Sequence, residues 1–427
     1  MSEAQPILPK APAAAVNERL LLFILAAVQF THVMDFMIIM PLGTRLMDAF
    51  AIGPAAFSKL TATYSISAAV VGFLAGFVMD RLPRKRTLLV LYAGFALSTA
   101  GCALAPTYET LLLARLVAGV CGGVASSLVA AMVADVVPPE RRGRAMAVVA
   151  AAFPLALVMG MPTGLFLAEK FSWHAPFYFL GGASLLVWVV AFKALPMVVT
   201  ERATVSPMRQ MRQILTHPVH IRAFALSGVL VFAGALVVPF MIPSMETNVK
   251  LSSDQISVIY FIGGIVTAFT ANLFGRLSDR FDKLYVLAGV TALAMTAVFF
   301  ITRLGPTPLL GVLGLTTLFF VTMSGRFPPA MTMVANAVEP QYRAGFMSVN
   351  AAMQQSCGGM ANIVAGWIVV RNAETKVLEH YEKVGWVSLA AFVVTVLLAA
   401  WLRAAAPHAA RNDGAAREKP AVLDPPH

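Results

Sequence analysis

An all-α membrane protein with twelve transmembrane helices in two related six-helix halves is the fold class the sequence predicts. Three observations predict it: the apolar balance of the chain, the length of its apolar runs and an internal repeat. The 427 residues are 59% hydrophobic and 12% charged, with mean hydropathy +0.77, whereas an ordinary soluble domain carries about 25% charged residues. The stretch GFLAGFVMDRLPRKR, residues 72–86, returns in weaker form as NLFGRLSDRFDK, residues 272–283. Aligning the two superposes Gly76 on Gly275, Asp80 on Asp279 and Arg81 on Arg280, an offset of 199 residues. PPERRGRAM, ending at Met146, meets EPQYRAGFM, ending at Met347, at an offset of 201. Two independent matches at nearly one offset mark a tandem duplication.

Crossing a hydrocarbon core of ~30 Å takes about 20 mostly apolar residues. Six such runs fall in the first half, at 20–42, 57–79, 87–105, 111–136, 145–167 and 177–195. The second half repeats them at 221–245, 253–277, 284–302, 309–335, 346–370 and 384–402. The domains expected are a disordered tail at 1–18, a first bundle at 19–195, a linker at 196–220 lying flat on the membrane surface, a second bundle at 221–402 and a disordered tail at 403–427. The run after Arg19 is too long for a signal peptide and lacks a cleavage pattern, so it is expected to remain as the first span.

The net charge of +11 would suggest nucleic acid in a soluble chain. Here the cations sit mainly in short connectors between apolar runs, the pattern of membrane topology, and no nucleic-acid partner is expected. With residue 1 in the cytoplasm, connectors on that side hold 22 of the 32 Lys and Arg and the opposite side eight, while Arg115 and Arg326 lie inside spans. Positive charge resists translocation, so both termini are expected in the cytoplasm, of a bacterial inner membrane. Cys102, Cys121 and Cys357 are scattered through apolar runs with neither metal spacing nor a disulfide framework.

These residues carry a resemblance. GFVMDRLPRKR is similar to the loop signature after the second helix of the major facilitator superfamily, with Pro83 where that motif has Gly. LLARLVAG, with Arg115 four residues before Gly119, resembles the superfamily's fourth-helix motif. FPLALVMGMPTGLFLAEKFSWHAPF resembles the Gly- and Pro-rich fifth-helix motif of its drug/proton antiporters, in the form of the drug and sugar efflux branch. The resemblance covers residues 19–402. It implies two six-helix bundles, a central cavity lined mainly by spans one, four, seven and ten, and alternating access.

Asp35 is the sharpest functional candidate. Seven residues from the end of its span, it lies about 10 Å inside the membrane at 1.5 Å per residue. An ionised Asp near a helix centre costs ~2.5–3.5 kcal/mol, so it must meet water, a cation or a proton. Arg115 lies at similar depth, and the pair is expected to couple proton movement to transport. His32, one helical turn before Asp35, is a second titratable candidate or a packing residue. Arg326, deep in the tenth span, needs an acceptor: a substrate anion, a carbonyl cluster or Asn336. Met34, Phe36, Met37, Arg326 and Gln354 are candidates for the substrate cavity. Asn350, Gln354 and Cys357 recur on one face of the eleventh span, as an aqueous route or as helix glue.

A gate is expected at the cytoplasmic face from Gly76, Asp80, Arg81, Arg84, Asp135, Asp279 and Arg280, as ion pairs that form in one state and break in the other. Gly119, Pro154, Gly160, Pro162 and Gly164 read as helix packing and bending residues. Proton-coupled efflux of small, fairly apolar molecules is the leading function, with the proton as coupling ion, no cofactor and a monomeric carrier. Sugar or metabolite efflux is the alternative. A membrane enzyme or receptor would require a catalytic cluster at depth or a large extramembrane domain, and neither is present in the sequence. No nucleotide-binding loop is present either.

Overall fold

The structure, a computed structural model, describes residues 17–75, 82–196, 207–339 and 341–410. In chain order its helices are α1 (Glu18–Ile38), α2 (Gly43–Ala49), α3 (Pro54–Ala75), α4 (Arg84–Ala103), α5 (Tyr108–Val136), α6 (Pro139–Ala150), α7 (Ala152–Leu155), a π-helical turn (Ala156–Gly160), α8 (Met161–Lys170) and α9 (Ala175–Ala194). After α10 (Pro207–Thr216) come α11 (Pro218–Ala235), α12 (Val238–Thr247), α13 (Ser253–Arg280), α14 (Lys283–Ile301), α15 (Leu309–Gly325), α16 (Phe327–Asn336), α17 (Arg343–Ile368), α18 (Tyr381–Ala405) and α19 (Pro407–Ala410). A two-residue hairpin, β1 (Val370–Arg371) with β2 (Leu378–Glu379), links α17 to α18.

Among the described residues, 11 helical stretches are long and apolar enough to cross a membrane. The eleventh expected span is α17, which at 26 residues is of spanning length but is diluted by Asn350, Gln354, Gln355 and Asn362. Four helix N-termini are closed by side chains that satisfy otherwise unpaired N–H groups. Asn17 caps α1, Thr107 and Thr110 form a capping box on α5, Ser252 and Gln255 do the same for α13, and Asp282 caps α14.

Prolines interrupt four spans. Pro41 ends α1 at Ile38, and a buried turn leads into α2. The seventh span breaks in the matching place, at Leu236 and Val237 before Pro239. The tenth breaks at Arg326 before Pro328 and Pro329. In the fifth, the π-helical turn lies between Pro154 and Pro162, where missing N–H donors loosen the ladder. Asp35 therefore lies in the last turn of α1, one turn before the break.

Helices α1–α9 pack as one bundle and α11–α18 as another. The bundles meet along two seams, α3 against α17 and α8 with the π-helical turn against α13, and at one end α2 touches α12. The first and seventh spans are the most enclosed, with 56% and 67% of their apolar windows buried. One apolar cluster, including Met34, Met37, Phe57, Phe240, Met241 and Phe319, runs across both bundles, and one smaller cluster is centred in each. Phe23, Phe269 and Leu310 point outward, as lipid-facing residues do.

At the C-terminal end the described chain departs from expectation. Residues 1–16 and 411–427 lie outside the described residues. The chain after Arg403, expected as disordered, instead continues in α18 to Ala405 and in α19, whose Ala409 and Ala410 are buried. Of the linker, α10 buries Met211 and Ile214 in the second bundle's cluster, while 197–206 are outside the described residues. The face holding Glu18, α10 and α19 is called the terminal face below, and the opposite one the far face.

Candidate functional site

Asp35 sits at the end of α1 with no exposed surface, clasped from two other helices. From α5, Arg115 Nη1 donates to Asp35 Oδ2 at 2.8 Å and to the Asp35 carbonyl at 3.2 Å. From α4, Thr99 Oγ1 donates to Oδ1 at 3.1 Å. The guanidinium lies 4.4 Å over the Tyr64 ring, and the Tyr64 hydroxyl is 2.8 Å from His32 Nδ1, one turn back on α1. His32, Tyr64, Arg115, Asp35 and Thr99 thus form one continuous polar chain inside the first bundle.

Two glycines of α5 make the room. A Cβ on Gly119 would lie 2.3 Å from the Tyr64 carbonyl, and one on Gly122 would lie 2.6 Å from His32 Nδ1. Only glycine lets α1 and α3 come this close. Gly160 and Gly164 likewise face Met34 and Ile38 of α1. Sequence reasoning singled out neither Tyr64, Thr99 nor Gly122; a hydroxyl in an apolar run is too common a signal.

The arrangement can respond to one proton. Arg115 Nε and Nη2 are buried without a partner, so Asp35 is what compensates the guanidinium. Protonating Asp35 would leave a buried cation without a counter-ion, at a cost of several kcal/mol. Neutralisation of Asp35 and rearrangement around Arg115 are therefore linked.

In the second bundle Arg326 is 1% exposed. Its Nη2 meets Met323 Sδ at 3.0 Å, its guanidinium lies 4.4 Å over Phe392, and Nε and Nη1 have no partner among the described residues. Asn336, one of the acceptors considered, is at the opposite end of α16 and does not reach it. Gln354 Nε2 reaches Met331 Sδ at 3.3 Å, and Asn350 is buried with Oδ1 unpartnered. On the same helix Cys357 lies against Gly228 of α11, and Gly359 and Gly366 against α3. Met34 and Met37 are buried in the inter-bundle cluster, and Phe36 packs 5.7 Å from the Tyr64 ring.

At the terminal face Arg84 Nε donates to Asp135 Oδ2 at 3.2 Å. Gly76, Asp80 and Arg81 lie outside the described residues, and Asp279 and Arg280 close the exposed end of α13. The far face carries a clasp that the sequence did not reveal. Arg45 of α2 pairs with Glu246 of α12 at 3.6 Å and with Ser253 at 3.1 Å, and Thr44 donates to Glu246. Asp48 takes two hydrogen bonds from Arg371, at 3.0 and 3.2 Å, and one from Lys376 at 3.3 Å. Partial burial pushes the Asp48 carboxyl up, but the hydrogen bonds from Arg371 and Lys376 outweigh it and hold the group below its ordinary value. Asn248 bonds both the N–H and the carbonyl of Leu378, which fixes the hairpin to the end of α12. Beside the clasp, a cleft of about 750 Å³ runs between the bundles past Asp48, Pro54, Trp367 and Arg371.

The family model of the Major Facilitator Superfamily matches residues 25–362 and, in a second overlapping match, 223–426. Two MFS-type transporters of Bacillus subtilis (strain 168) are similar along most of their length. YceJ is 25% identical over 347 residues, 80% of this chain and 87% of the relative. YfhI is 24% identical over 355 residues, 82% and 86%. A probable sugar efflux transporter of Mannheimia succiniciproducens is 23% identical over 218 residues, 51% of this chain and 54% of that protein. Among solved structures, a bacterial homologue of the human lysosomal transporter Spinster superposes with TM-score 0.68 at 17% identity, over 96% of this chain and all of that one. The nucleoside transporter NupG does so with TM-score 0.74 at 15% identity, over 90% and 100%; at these identities the likeness is one of fold. The fold, its two seams and a family match that runs through both bundles converge: the chain belongs to the major facilitator superfamily.

Proposed function

We propose that this membrane carrier exports small apolar or amphipathic molecules in exchange for protons, by alternating access, with Asp35 as the proton site. The observation that carries the reading is the Asp35–Arg115 pair, 2.8 Å apart and fully enclosed. A carboxylate buried against one guanidinium has two self-consistent states: charged and paired, or protonated with the arginine displaced or hydrated. Motion of α1 relative to α5 exchanges them, which is what coupling requires. Tyr64 and His32 extend the network from the ring under Arg115 and are the next groups able to pass a proton.

The excess of Lys and Arg on the terminal-face connectors makes that face cytoplasmic in this reading. The clasp of Thr44, Arg45, Asp48, Glu246, Arg371 and Lys376 then closes the outside, and the Arg84–Asp135 pair belongs to the inner gate. Met34, Phe36 and Met37, packed in or against the inter-bundle cluster, would supply an apolar lining once the bundles part, which favours a greasy solute. The sugar efflux relative, matched over half the chain, supports sugar export as the second reading.

The test is accumulation of a compound panel in proteoliposomes under an imposed pH gradient. Wild-type carrier should concentrate apolar dyes in response to the gradient, and Asp35→Asn should not, while still exchanging them down their own gradient. Gradient-driven accumulation that persists in Asp35→Asn would remove Asp35 from the coupling role and put His32 next. Accumulation of sugars but not dyes would select the second reading.

A further inference from the structure

Arg326 is a fully enclosed cation for which, among the described residues, the protein supplies no anion. Its surroundings are built in a particular way. The residue occupies the break between α15 and α16, and Pro328 and Pro329, lacking N–H groups, keep the two halves from joining smoothly. The break in the seventh span lies directly against it: a Cβ on Gly234 would be 3.2 Å from Arg326 Nη2. Two interrupted helices therefore meet at one guanidinium.

Interrupted helices release carbonyls, and these would be natural acceptors for an arginine. Here α18 takes two of those at the seventh-span break. Ser388 Oγ donates to the Ala233 carbonyl at 2.6 Å and the Tyr381 hydroxyl to the Val237 carbonyl at 2.7 Å. What remains for Arg326 is a thioether, an aromatic face and two N–H-bearing nitrogens with nothing to bond. A buried guanidinium left this way costs several kcal/mol. Met323 and Phe319, one and two turns back on the same face of α15, belong to the apolar cluster that joins the bundles. The site thus has a cationic end and an apolar approach from the bundle interface.

We infer that Arg326 receives an anionic head group of the transported solute, a carboxylate, phosphate or sulfonate on an apolar body. The inference rests on the proposed export of amphipathic molecules and narrows that class to acidic ones. An oxyanion would take either free nitrogen, Nε or Nη1, together with the N–H of Nη2 that lies parallel to it, as a fork, the geometry guanidinium offers to carboxylate and phosphate. Its apolar body would lie along Phe319 and Met323.

The test uses the full-length carrier in phosphatidylcholine nanodiscs and four probes with one apolar body: 1-naphthoate, 1-naphthyl phosphate, 1-naphthalenesulfonate and neutral 1-naphthamide. At least one of the three anions should raise the Tm of the wild type in a concentration-dependent way, and the amide should not. Arg326→Gln should weaken that anion's binding by about tenfold or more, with Arg326→Lys between the two. Arg326→Met should be as stable as the wild type or more so, because it removes an uncompensated charge while keeping volume. Equal stabilisation by the amide, retained anion binding in Arg326→Gln, or no response to any of the three anions would overturn the inference. Stabilisation by phosphatidylglycerol nanodiscs in place of the naphthyl anions would also overturn it, by assigning the site to lipid. Asp35→Asn separates the two proposals. Gradient-driven accumulation that persists in Asp35→Asn, with anion binding still dependent on Arg326, would sink the proposed coupling and leave this site standing.

Discussion

Each bundle encloses one arginine at its core, and the two are solved differently. Arg115 and Arg326 are 0% and 1% exposed, and each guanidinium lies 4.4 Å over a ring, Tyr64 in one bundle and Phe392 in the other. Arg115 has a carboxylate at 2.8 Å; Arg326 has a methionine sulphur at 3.0 Å. Arg326 is not the duplicated copy of Arg115, whose repeat position at an offset of 201 is Thr316, a residue that bonds the Val312 carbonyl of its own helix. The first bundle therefore carries a counter-ion of its own, while the second leaves the charge to be met by something that arrives. A closed ion pair suits a proton switch, and an open cation suits a ligand.

The largest expected effect breaks the closed pair. Asp35→Asn keeps the shape but strands Arg115, and should destabilise the carrier by about 3–5 kcal/mol. The double variant Asp35→Asn with Arg115→Gln should recover much of this in thermal unfolding, since no buried charge remains. If the single variant is as stable as wild type, Arg115 has another counter-ion and the contrast fails.

Next come the two glycine shelves. Gly122→Ala presses a methyl against His32 and Tyr64, whose ring supports Arg115, and should cost about 1–3 kcal/mol. Gly234→Ala meets only the ends of Met323 and Arg326, at 3.0 and 3.2 Å, and these can shift, so its effect should be clearly smaller. Thermal unfolding of both variants in one detergent checks the order. Opposite in sign is Arg326→Met, expected to raise stability by roughly 1 kcal/mol or more while lowering transport of acidic solutes; a fall in stability would make Arg326 a structural anchor.

The smallest effect tests whether charge at the surface behaves like charge in the core. Asp48 is half exposed, so its clasp should contribute no more than about 1 kcal/mol. With the carboxyl held below its ordinary value of about 3.9, that contribution is complete above this pH and fades as pH falls through the lowered value. A pair of spin labels across the far-face seam should report opening in Asp48→Asn at neutral pH, and in the wild type only under strong acid. Identical distances in both at neutral pH would leave Arg45 and Glu246 as the working clasp.

The sequence by itself determined the class of solvent and the chain's periodic plan. Runs of about 20 apolar residues admit only helices across a bilayer, because each backbone group must be satisfied within its own segment. A repeat at one offset divides such a chain into two like halves. Asp35, Arg115 and Arg326 were legible for the same reason, as charges where charge is expensive. What the sequence left open is which charges meet. That Arg115 reaches Asp35 over the Tyr64 ring depends on Gly119 and Gly122 letting three helices approach, a matter of helix rotation that no spacing along one segment encodes. The far-face clasp joins Asp48 to Arg371 and Arg45 to Glu246 across hundreds of residues, in connectors whose charges look like ordinary solvated loops. That α18 hydroxyls bond two carbonyls of the neighbouring break, and that Arg326 is left with the Met323 sulphur and the Phe392 ring, only the packed bundle decides. Composition fixes where a charge is costly, whereas tertiary packing fixes what relieves it.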